Sequence, residues 1–84
     1  MIGSEFKAIR ERLDLSQDEL AVLLCLSGKQ AVSNIETGFR NPSKLSAVLM
    51  LVFDSLSDAK FKELKSLILK HSDGVLKDSK RSKR

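Results

Sequence analysis

Gln30 and Asn34 stand four residues apart. On a helix that spacing puts both carboxamides on one face. Each carboxamide carries a donor beside an acceptor, the pattern that pairs in bidentate fashion with an adenine edge in the major groove. Lys29, next to them, can reach a guanine edge or a phosphate, and Ser33 is small enough to permit close approach. A second set of residues suits phosphate. Gln17 opens a helix, where free N–H groups and the positive end of the dipole favour an anion. Arg40, Asn41 and Lys44 follow within a few residues of the Gln30–Asn34 segment. Contacts of this second kind set register and affinity without reading sequence.

Other chemistries find little support. Acidic residues are scattered, His71 is the sole histidine, and no Gly-rich phosphate loop occurs, so no enzyme activity is expected. Cys25 is the sole cysteine, which rules out an intrachain disulfide. One Cys and one His do not make a structural zinc site, and no metal or cofactor is expected. The absence of Trp and Tyr limits base stacking and argues against single-strand binding. No apolar run approaches the roughly 20 residues that cross a bilayer. The start lacks a basic segment followed by an apolar one, and Gly3 does not fit the myristoylation pattern. A cytoplasmic, nucleoid-associated protein is the expectation.

The formal charge of +4 is unevenly distributed. Residues 77–84 hold five basic residues and one acidic one, a net of +4, and the preceding 76 hold ten of each. The composition therefore suggests a domain over 1–76 and a basic, disordered tail over 77–84.

The elements that must position these side chains read as five short helices with no strand alternation. Ser4 can cap a helix over 5–13, with Phe6, Ile9 and Leu13 as its apolar stripe. Ser16-Gln17-Asp18-Glu19 forms a capping box for a helix ending near Cys25, with Leu20, Leu23 and Leu24 on one face. Ser27 can cap a third helix over Lys29–Thr37, with Ala31, Val32 and Ile35 inward. Gly38 suits its left-handed cap, and Pro42 blocks continuation. Ser43 opens a fourth helix over 44–54, whose inward stripe reads as Leu45, Val48, Leu49, Val52 and Phe53. Met50 and Leu51 widen that stripe. Ser57-Asp58 opens a fifth helix to about His71, with Phe61, Leu64, Leu67 and Ile68 inward, and Gly74 loosens the chain after it. Helices two and three, joined by about four residues, form a helix-turn-helix pair over about 17–37, in which the second helix enters the groove.

The residues that build this pair also carry a family resemblance. Leu15-Ser16-Gln17-Asp18-Glu19-Leu20-Ala21, then Gln30-Ala31-Val32-Ser33-Asn34-Ile35-Glu36-Thr37-Gly38 and Arg40-Asn41-Pro42, resembles the Cro/repressor (XRE) helix-turn-helix family, over roughly residues 5–53. The resemblance implies a compact five-helix, lambda-repressor-like bundle that binds palindromic operators as a homodimer. It implies base contact by Lys29, Gln30 and Asn34, and phosphate contact by Gln17, Arg40 and Asn41, beside the Ser33 and Lys44 read above from residue type and position. It further implies a buried structural ion pair between Arg10 and Glu36. Members usually carry Gly where Cys25 stands, and this chain runs one residue longer before Gln30.

Several residues have plainer readings. Cys25 is expected to be a small buried hydrophobe rather than a redox sensor. His71 is expected to complement a helix C-terminus, and Phe39 to pack on the core. An 84-residue chain has little core to spare. The apolar surplus Met50, Leu51, Phe61, Leu64 and Ile68 is therefore the candidate dimer interface. Two functions remain: a dimeric, sequence-specific transcriptional regulator, repressor or activator, and an antitoxin-like protein-interaction module with secondary DNA binding.

Overall fold

A computed structural model describes the backbone of residues 1–82 and the side chains of residues 1–74. The described residues form five helices and no strand: α1 (Gly3–Arg12), α2 (Gln17–Leu23), α3 (Lys29–Glu36), α4 (Lys44–Ser55) and α5 (Asp58–Ser82). The α5 backbone continues through Gly74 instead of ending near His71. The basic stretch expected to be disordered, 77–84, lies outside the residues whose side chains are described.

The first three helices share one kind of C-terminal stop. After α1, Asp14 takes φ 58° and donates its N–H to Glu11 O, while Leu15 N–H reaches back to Arg10 O. After α2, Cys25 takes φ 56° and donates to Val22 O, while Leu26 N–H reaches Ala21 O. Both are Schellman pairs, which satisfy carbonyls the helix leaves free. Gly38 occupies the same left-handed position after α3, at φ 85°. This backbone role puts Cys25 on the surface instead of in the core. Its side chain points away because the turn, not packing, dictates the residue's conformation.

The helix starts are less uniform. Ser16 and Glu19 form both hydrogen bonds of a capping box. Ser43 Oγ accepts from Ser46 N–H at the start of α4. Ser4 does not cap α1, which begins at Gly3 with Ile2 preceding it and no side-chain cap. A Cβ on Gly3 would lie 2.5 Å from Ile35 O and 2.6 Å from Glu36 O, so the first turn of α1 fits against the end of α3 only without a side chain there. Ser27 does not cap α3 either. Gly28 holds that position, again without a side-chain cap, because the longer turn leaves Ser27 one residue early.

The core takes Phe6 and Ile9 from α1, Leu20, Ala21 and Leu23 from α2, and Val32 and Ile35 from α3. Met50 and Phe53 join from α4, and Phe61 from α5. Phe53 and Phe61 meet edge to face at 5.3 Å between ring centroids, which locks α4 to α5. α4 packs chiefly against α1, and the face it buries there overturns the stripe read from spacing. The buried positions of α4 are Ser46, Met50 and Phe53, with Leu49 half-buried, while Leu45, Val48 and Val52 face outward. Eight of the nine residues from 45 to 53 are apolar, so periodicity could not choose the face. Met50 and Phe61, two of the candidate dimer residues, are instead core residues at 0% and 5% exposure and are inaccessible to a partner. Leu64 and Ile68 are half-buried against the same core, and Leu51 is exposed. Leu67, expected inward, and Phe39, expected to pack, are both exposed.

Candidate nucleic-acid interface

The helix-turn-helix pair is held by a polar network rooted in the last turn of α3. Glu36 accepts hydrogen bonds from Arg10 Nε at 2.5 Å and Arg10 Nη2 at 3.3 Å. It also accepts one from Gln17 Nε2 at 3.0 Å. Arg10 donates a further bond, from Nη1, to Leu15 O at 2.8 Å. The side chains of Arg10 and Glu36 are only 13% and 4% exposed. The hydrogen bond to Glu36 raises the Arg10 pKa above its already high ordinary value. Three helices thus converge on one carboxylate: α1 through Arg10, α2 through Gln17, and α3 through Glu36 itself. The family resemblance implies Glu36 as Arg10's partner, but not Gln17's share in the network.

With α3 so fixed, its other side is open. Lys29 and Gln30 are exposed, Ser33 and Asn34 are half-buried, and Val32 and Ile35 are buried. At 100° per residue the first four fall within an arc of about 140°. Gln30 Nε2 donates to Asn34 Oδ1 at 3.0 Å, so the two carboxamides form one linked unit on that face. Gln30 Oε1 and the Asn34 amide N–H groups remain for an outside partner.

The loop leaving α3 and the first residue of α4 carry further cationic residues. Arg40, Asn41 and Lys44 are all exposed. The Arg40 backbone N–H donates to Asn34 O at 3.0 Å, which ties this loop to the end of α3. At the start of α2, one N–H of the Gln17 amide is engaged by Glu36, and the second remains.

The charge pattern over this region escapes a count over the whole domain. Between Glu19 and Asp54 the chain holds a single acidic residue, Glu36, and it is buried against Arg10. The exposed charges of that span are Lys29, Arg40 and Lys44. A domain neutral over residues 1–76 therefore presents a positive surface on α3 and the loop after it, the sign that a phosphate backbone attracts.

No group of three or more His, Cys, Asp or Glu side chains suited to a metal ion occurs among the described residues. None of the described helices is long and apolar enough to cross a membrane. Neither the curated proteins nor the solved structures include a match to this chain. Residues 6–53, which span α1 to the core-facing Phe53 of α4 and more than half of the chain, match the family described as helix-turn-helix. The chain therefore belongs to the Cro/C1-type (XRE) helix-turn-helix family of DNA-binding transcription regulators.

Proposed function

We propose that this protein is a sequence-specific regulator that binds a two-fold symmetric operator as a homodimer, with α3 in the major groove. The observation that carries the reading is the open polar face of α3, with Gln30 and Asn34 linked and Lys29 and Ser33 beside them. In this reading the Gln30–Asn34 unit meets an adenine edge, and Lys29 meets a guanine edge or a phosphate at the helix start. Arg40, Asn41 and Lys44 hold the phosphate backbone after α3, and the second N–H of the Gln17 amide holds it before α3. Occupancy of a promoter then blocks or recruits transcription.

Binding of two classes of variant to a selected operator and to a scrambled duplex, at two salt concentrations, tests the assignment. Gln30→Ala and Asn34→Ala should each lower operator affinity about tenfold and leave scrambled binding unchanged, since a bidentate base pair is worth about 1–3 kcal/mol. Arg40→Ala should weaken both duplexes alike and reduce the salt slope by about one. Equal loss on both duplexes from Gln30→Ala would contradict the base-reading role.

One observation favours the second reading, an antitoxin-like module that holds a protein. Where α5 runs past the end of α2, Val22, Cys25, Leu26, Leu67, Ile68 and His71 line an open apolar groove of about 610 Å³. Under that reading, disruption of the groove by Leu67→Asp would abolish a complex with a protein partner and leave duplex binding intact.

A further inference from the structure

The rotation of α4 leaves it apolar on two opposite faces. One face enters the core through Met50 and Phe53. The other presents Leu45 at 69%, Val48 at 55%, Leu51 at 53% and Val52 at 40% exposure. These four lie within about 120° of arc, centred opposite the buried face. A helix that is apolar all round is normally covered on all sides. The exposed aliphatic area is on the order of 400 Å², about half of the ~800 Å² per partner in a standard interface. It is thus the right size for the apolar centre of such an interface, with a polar rim to complete it.

We infer that the outer face of α4 pairs with the same face of a second copy of this chain, α4 antiparallel to α4, with Val48 at the two-fold axis. The inference rests on the dimeric reading above and gives it an interface. The face is self-complementary. When Val48 meets its own copy in an antiparallel pair, Leu45 of one subunit falls opposite the partner's Leu51. Beside Leu51 lies a shallow hollow of about 240 Å³, lined by Glu5, Ala8, Ile9, Arg12, Leu51 and Asp54. Leu45, the most exposed residue of the four, fits that hollow as a knob fits a hole. None of the four aliphatic residues is assigned to base or phosphate contact, so subunit pairing and DNA binding use different side chains.

The test is the mass of the full chain in solution without DNA, by sedimentation, across a concentration series. The wild type should sediment as twice 9.4 kDa. Val48→Asp, at an exposed position, should be a monomer with unchanged helicity, whereas Leu67→Asp on the α2–α5 groove should remain dimeric. A second measurement does not depend on how Val48→Asp folds. Val48→Cys in a Cys25→Gly background should form an intermolecular disulfide under mild oxidation, because a residue on the axis faces its own copy. A monomeric wild type, a dimeric Val48→Asp variant or a Val48→Cys variant that fails to cross-link would each overturn the inference. Duplex binding is measured separately. A monomer that binds duplex would refute this interface and leave DNA recognition standing. A dimer that binds no duplex would do the reverse.

Discussion

The α1–α3 half and the α4–α5 half of this molecule are held together by different physics. In the first half a buried carboxylate collects Arg10 and Gln17, and Schellman turns at Asp14 and Cys25 stop the helices at set points. In the second half the packing is apolar, α4 on α1 and α5 on α2 with Phe53 meeting Phe61 between them, and the ion pairs at its edge are solvent-exposed ones, Arg12 with Asp54 and Lys65 with Glu19. Polar networks and caps demand particular residues at particular positions. Apolar packing demands only suitable volume and admits more than one rotation. The half that holds α3, the recognition helix of the proposed function, is the half built from particular residues.

The largest expected effect breaks the network. Glu36→Ala leaves Arg10 charged and mostly buried without its partner, and should destabilise the fold by about 3 kcal/mol in urea titration. Next is Gly3→Ala. Its Cβ would meet the backbone carbonyls at the end of α3, which cannot yield as a side chain can, so a loss of about 2 kcal/mol is expected. Cys25→Gly should act in the opposite sense. It relieves a left-handed conformation that only glycine adopts freely, and should raise stability by about 1 kcal/mol, seen as a higher Tm. On the α4 side, Arg12→Ala removes an exposed ion pair and should cost about 0.5 kcal/mol or less. An Arg12→Ala loss as large as that of Glu36→Ala would erase the contrast between the halves.

The smallest effect is a pH dependence at the joint between them. The Ser16 backbone N–H, and then Lys65, hold the Glu19 carboxyl below its ordinary value. A carboxylate with a depressed folded pKa stabilises the fold above its unfolded pKa, about 4.3, and that contribution is lost as pH falls through the folded value. Glu19→Gln should therefore flatten the decline in Tm below about pH 4.3. At neutral pH it should leave only the loss of the exposed pair with Lys65, because a glutamine carbonyl still accepts from the Ser16 N–H.

The same contrast explains what could be read in the sequence. The capping box at Ser16 and the stop at Gly38 rest on residues with few alternative uses, and they are legible one by one, whereas the Arg10–Glu36 pair is legible only through the family resemblance. The starts of α1 and α3 are not legible, because a serine near a helix start, as at Ser4 and Ser27, is suggestive whether or not it caps. The inward face of α4 was not legible, because a run from Leu45 to Phe53 interrupted only by Ser46 carries two equivalent stripes. Ser46, the one polar residue of that run, turned out to be buried. The same ambiguity puts Met50 among the candidate dimer contacts, whereas Phe61 stands there through the apolar surplus of α5. The Gln30–Asn34 face was legible from spacing alone, whereas the positive surface around it emerged only once Glu36 was known to be buried.

The most direct test of the central claim is selection of bound sites from a pool of random duplexes, with the retained fraction sequenced. The account predicts a two-fold symmetric motif with half-sites about 34–36 Å apart, whose base preference collapses in Gln30→Ala and Asn34→Ala. Retention without any motif, lost on raising salt or on removing residues 77–84, would contradict it and leave α3 without the role assigned to it.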